Sequence, residues 1–166
     1  MRNDTAIWSA PRNDSQLPCS SSVAISAAPA LRQVLLSGPK VRAQMNLQVV
    51  EWPDIISTER YALSIRRDRI MLVNGPEMID GWDDELNQAI SDVSDAYRVF
   101  DISSESLLEF LRRGAEIDLS LPSASVSRLW FGISVLLYRI NENTARVHVP
   151  SAQADALLNA ISAVIG

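Results

Sequence analysis

Between residues 91 and 114 the sequence SDVSDAYRVFDISSESLLEFLRRG sets out a strand, a helix and a stop. Any fold for this chain has to place an extended strand directly before a helix there. Ala96, Arg98, Phe100 and Ile102 alternate with Tyr97, Val99 and Asp101, the period-two pattern of a strand with two distinct faces. The strand is expected over residues 92–103. Ser103 stands where an N-cap would sit, and Glu105 falls in the first turn. Leu107, Leu108 and Leu111 form the apolar stripe, and Arg112 and Arg113 complement the dipole of the last turn. Gly114 suits the left-handed position just past the helix.

The rest of the chain adds strands around that unit. LRQVLL and VRAQMNLQVV flank a turn at Ser37-Gly38-Pro39-Lys40, and Val41, Ala43, Met45, Leu47 and Val49 alternate as in a half-buried strand. YALSIRR and RIMLVN flank Asp68 as a hairpin, closed by Gly75-Pro76. Residues 80–90 suggest a helix: Trp82, Leu86, Ala89 and Ile90 fall near one face, with Asp83, Asp84 and Glu85 near its start. Three short strands are predicted over 126–131, 134–140 and 145–149, with turns at Gly132 and Asn141-Glu142-Asn143. A last helix follows Pro150, capped by Ser151 and striped by Leu157, Leu158, Ile161, Val164 and Ile165.

The fold class is therefore α+β. A faint internal echo of strand, turn, strand, Pro and helix joins residues 62–90 to 135–164 and suggests two related strand-hairpin-helix halves. Residues 1–30, rich in Ser, Ala, Asn and Pro without a sustained period, read as a flexible N-terminal tail, either loose or an arm that orders on a partner. The folded domain spans 31–166.

Composition excludes several functions. The chain has 166 residues and a net charge of −5, with no basic cluster of the kind nucleic acid requires. No apolar run reaches the roughly 18 residues of a membrane helix. The apolar stretch 23–36 begins too deep for a secretory signal and is interrupted by Pro29 and Arg32. A single cysteine, Cys19, fits a reducing cytoplasm. One histidine and one cysteine cannot assemble a His/Cys metal cluster, and the six glycines form neither a dinucleotide fingerprint nor a P-loop.

Few residues qualify as chemical candidates. His148 alternates with Ala145, Val147 and Val149, so it is expected to face away from their core, toward solvent or an interface. Cys19 has no cations nearby to activate it. Asp92 and Asp95 lie three apart on opposite strand faces and read as local backbone acceptors rather than an acid/base pair. Among Trp8, Trp52, Trp82 and Trp130, the loop residue Trp52 is the interface candidate, while Trp82 and Trp130 suit the core. Arg112, Arg113 and Arg128 read as solvated surface that could meet acids on a neighbour.

Several blocks resemble the gamma subunit of heterotetrameric sarcosine oxidase. The family opening V-[ST]-D-[VL]-S-D-A-[WY] is matched by Ser91, Asp92, Val93, Ser94, Asp95, Ala96 and Tyr97, and its I-S-G-P by Ile102 and Ser103. AQMNLQ is similar to A-Q-[VL]-N-L-R, GAEIDL to K-G-C-x-[IL]-D-L, and SVSRLWFGISVLLYR and VHVPSAQADALLNAI to the two closing blocks. The chain departs at Ser104-Glu105, at Ala115 where the family has cysteine, and in the last helix, which lacks the family's tryptophans.

The resemblance implies a fold akin to the folate-binding domain of aminomethyltransferases. It also implies a non-catalytic subunit that packs on large alpha and beta subunits and a small zinc-binding delta subunit. In such a complex FAD, FMN, NAD, tetrahydrofolate and zinc sit on the other subunits, and sarcosine or a related N-methyl amine is demethylated. No catalytic, cofactor-binding or metal residue is then expected in this chain. The alternative is a stand-alone folate-binding or one-carbon transfer protein of the same fold, or a general α+β interaction module.

Overall fold

The computed structural model describes residues 17–165, in two sheets and two helices. The first sheet runs β1 (Ala24–Ala27), β8 (Tyr97–Ser103), β11 (Thr144–Pro150), β10 (Ile133–Asn141), β9 (Ser127–Trp130), all antiparallel. The second runs β3 (Gln48–Val50), β4 (Tyr61–Arg66), β5 (Arg69–Val73), β2 (Gln33–Ser37), β7 (Gln88–Asp92), β6 (Gly81–Asp83), with one parallel pair, β3 and β4. The helices are α1 (Leu107–Arg112) and α2 (Ala154–Ile165).

Alternation along the strands builds three apolar layers. Ile133, Val135, Leu137, Ala145, Val147 and Val149 point one way, onto Leu107, Phe110 and Leu111 of α1 and Leu157, Leu158 and Ile161 of α2. Leu136 and Tyr138 point the other way, onto Val50, Tyr61, Leu63, Met71 and Val73 of the second sheet. The far face of the second sheet carries Val34, Leu36, Ile70, Leu72 and Ile90, covered by Val41, Met45 and Leu47. A six-residue helix such as α1 is too short to persist alone. Its three buried side chains hold it, each contributing about 1.5–3 kcal/mol.

The 61–74 hairpin, the three C-terminal strands and the last helix form where the sequence places them. Other expectations are corrected. The 41–50 segment is a strand only from Gln48. Before that, Gln44 N donates to the Lys40 carbonyl, and Val41 and Met45 stack at a four-residue spacing, so one helical turn buries what alternation also would have. Residues 80–90 form the β6–β7 hairpin, not a helix. Asp83 Oδ1 accepts from the backbone N–H of Glu85 and Leu86, and Asn87 takes a positive φ of 52°. The acids make a turn here, as Asx side chains do.

The echo of two halves breaks at that hairpin, because its first copy lacks the helix. Ser103 ends β8 and bonds Thr144 across the sheet, while α1 starts after Ser106 without a side-chain cap. Gly114 is not left-handed. A Cβ there would lie 2.6 Å from the Phe131 ring, so glycine is required by close approach. Ser151 opens a single 3-10 turn, and its hydroxyl donates to the Asp95 carbonyl rather than capping α2. Within the stretch read as a tail, residues 24–27 form an edge strand of the first sheet and Val23 and Ile25 are buried, because β8 offers them a free edge. Residues 1–16, Trp8 among them, lie outside the described residues.

Candidate functional site

The two sheets meet on a line of polar side chains. His148, on β11, does point away from Val147 and Val149, but that face is covered by the second sheet, and His148 is 0% exposed. The expectation of a solvent-facing or interface histidine is therefore wrong: at His148 the second sheet covers that face of the first. Tyr61 and Tyr138 hydroxyls lie 2.7 Å apart, Tyr138 lies 2.8 Å from His148 Nε2, and His148 Nδ1 lies 2.6 Å from Gln33 Oε1. Gln33 Nε2 donates to the Ser94 carbonyl, and Ser94 Oγ accepts from the Gln33 backbone N–H.

One end fixes the direction of the whole line. Because Gln33 Nε2 is engaged by Ser94, Gln33 presents its oxygen to His148, and an amide oxygen only accepts. His148 Nδ1 therefore carries the proton, Nε2 accepts from Tyr138, and the Tyr138 oxygen accepts from Tyr61. Burial, with the charge of Arg146 second, pulls the His148 pKa down to about 3. Burial likewise holds the Tyr138 hydroxyl well above the usual phenol range. Both rings are neutral and shielded from solvent. Their chemistry is to satisfy each other and align the sheets.

This makes stability depend on pH in a readable way. His148 is the only histidine. It stays neutral when folded and takes a proton near pH 6.5 when unfolded, so the unfolded state is favoured as pH falls. The expected loss is about 2 kcal/mol between pH 7 and pH 5, above the range of most carboxylates. Urea midpoints at the two pH values measure it. His148→Gln should remove the dependence; a slope that survives the substitution would assign it elsewhere.

Beside this line Arg146 Nε and Nη2 donate to the two oxygens of Asp101 at 2.7 and 2.8 Å, a cross-strand pair in register between β8 and β11. The Asp101 hydrogen bonds raise the Arg146 pKa. Tyr61 and Arg146 floor an open cleft of about 540 Å³, rimmed by Leu31, Ile56, Asn74 and Ile140. Among the described residues Arg146 is the only cation lining the cleft, and its Nε and Nη2 are engaged by Asp101.

The other singled-out residues scatter. Asp92 Oδ1 accepts from the Ser94 N–H and hydroxyl, which lower its pKa, the local role expected. Cys19 is exposed and unbridged. Trp130 is core. Trp52 is not an interface residue: it is 1% exposed, and its indole N–H donates to the Leu119 carbonyl at 2.9 Å. Paired backbone bonds to Ser123 fold its loop inward. Trp82, by contrast, is not core but 58% exposed. Arg113 reaches Glu109 at 4.0 Å. Arg128 is buried rather than solvated, with Nη1 on the Ser127 carbonyl, its guanidinium over the Trp52 ring, and Nε and Nη2 without hydrogen-bond partners among the described residues. Among the described residues no three His, Cys, Asp or Glu side chains are grouped to hold a metal ion.

Neither a protein family nor a curated protein matches this sequence. Among solved structures, the fold matches a chain of the heterotetrameric sarcosine oxidase from Corynebacterium sp. U-96, determined in complex with pyrrole 2-carboxylate. The match has a TM-score of 0.66 and 13% identity over 92% of this chain and 88% of that one. At this identity what is shared is the fold, over nearly the whole of both chains. No helix of the described residues is long and apolar enough to cross a membrane.

Proposed function

We propose that this chain is a gamma-type, non-catalytic subunit of a cytoplasmic flavoenzyme complex that oxidatively demethylates sarcosine or a related N-methyl amine and hands the one-carbon unit to tetrahydrofolate. The observation that carries it is the coincidence of two independent likenesses. The fold aligns over most of its length with a chain of comparable length in a heterotetrameric oxidase. Most of the sequence blocks that resemble the gamma subunit fall on β8, α1, β9–β11 and α2, the first sheet and its covering helices, with AQMNLQ leading into β3 of the second sheet. The polar line supports a structural role, since its titratable groups are buried and paired among themselves.

The stand-alone folate-binding reading would need a ligand site within this chain. The cleft beside Tyr61 offers one cation among its described lining residues, Arg146, and Asp101 already neutralises it through Nε and Nη2, which makes it a weak counter-charge for a pterin's carboxylate. Affinity purification of the tagged chain from its native cells, with mass spectrometry of the co-purifying chains, tests the proposal. Two large flavin-bearing chains and a small zinc-binding one are expected. Recovery of the chain alone, with tight tetrahydrofolate binding, would replace this reading with the folate-binding one.

A further inference from the structure

The second sheet is wider than the layer that covers it. Its inner face meets the first sheet through Leu63, Met71 and Leu35. The register carries that same face outward from Leu35 to Ser91 on β7, and through Ala89 to Trp82 on β6. There the cover ends, with Ser91 exposed and Trp82 open to solvent. Among the described residues β6 is the last strand of the sheet, paired to β7 on one side and unpaired on the other. Ile79, just before it, is 90% exposed and stands by Arg32, Val34 and Met78 toward the opposite face. An unpaired strand edge is a ready template for another chain, and tryptophan is among the residues most enriched at binding hot spots.

Charge decides what fits there. Residues 77–97 hold seven acids and no Lys or Arg, against a net charge of −5 for the whole chain. Glu77 pairs with Arg32. Asp80, Asp83, Asp84 and Glu85 have no ion pair among the described residues. A second copy of this chain would bring like charges together on the same edge, and nucleic acid or an anionic membrane would be repelled in the same way.

We propose that the β6 edge, with Trp82 and Ile79 as apolar anchors, docks against a Lys- and Arg-bearing face of a larger partner chain. The proposal rests on the accessory-subunit reading and adds the place of contact. The test uses the tagged full-length chain expressed in its native cells. Trp82→Ser and the pair Asp84→Lys with Glu85→Lys alter exposed side chains. Leu121→Ser alters an exposed leucine as a control, in the loop before β9 that pairs through Ser123 with Trp52, just after β3 at the other end of the second sheet from β6.

The wild type and Leu121→Ser should recover the same large chains. Trp82→Ser should weaken that recovery roughly thirtyfold or more, and the double charge reversal should abolish it at low salt. Zero-length carbodiimide coupling of the wild-type assembly should join carboxylates of residues 80–85 to partner lysines. Recovery unchanged in both β6 variants would overturn the docking surface and leave the subunit reading standing. Equal loss in Leu121→Ser would overturn it too. A wild type recovered alone would overturn the reading and the surface together.

Discussion

His148→Leu should lower the unfolding free energy by about 3 kcal/mol, read from urea denaturation at pH 7. Leucine fills much of the imidazole's volume, so the loss comes from stranded polar groups rather than a cavity. Tyr138 loses the acceptor for its hydroxyl, and Gln33 Oε1 loses its donor, both in a place with no exposure to water. Each orphan costs about 1–3 kcal/mol. The direction deduced for the line adds an ordering. Tyr61→Phe removes the terminal donor but leaves Tyr138 still donating to His148, and should cost about 1 kcal/mol. Tyr138→Phe strands Tyr61 on one side and His148 Nε2 on the other, and should fall between the two. A Tyr61→Phe variant as damaged as His148→Leu would contradict the assigned tautomer.

Asp101→Ala should cost about 3 kcal/mol, because it leaves the Arg146 guanidinium without its counter-charge in a largely dry place. The two side chains are only 16% and 11% exposed, so solvent screens the pair weakly. Adding Arg146→Leu to Asp101→Ala should recover part of the loss, since the second change removes the stranded cation. A double-mutant cycle should then show a coupling of at least about 1 kcal/mol. Additive losses would mean that Arg146 is held by something other than Asp101. The surface pair Arg113–Glu109 should by contrast show almost none.

Much of the fold is legible in the sequence where pattern and punctuation agree. The 61–74 hairpin has alternating strands around Asp68 and a Gly-Pro stop, and it forms as read. The β9–β10–β11 meander has its turns at Gly132 and Asn143, and it forms as read too. The failures come from turn chemistry and tertiary surroundings overriding local pattern. Local pattern says which way a side chain points and not what lies there. His148 points away from Val147 as alternation requires, but a second sheet waits on that side. Trp82 belongs to a run with helical spacing, yet Asp83 turns the backbone first and leaves the indole on an uncovered overhang. Trp52 sits in a loop that reads as surface, and only the bonds to Ser123 and Leu119 draw it into the core. The polar line has no sequence signal at all, because Gln33 and His148 are brought together across 115 residues.

The subunit reading is tested most directly by peroxide release. The assembly recovered through this chain from its native cells should release peroxide when given sarcosine or another N-methyl amine, and the purified chain alone should not. Amine oxidation by the isolated chain, or an assembly inert to every methylamine offered, would contradict the account.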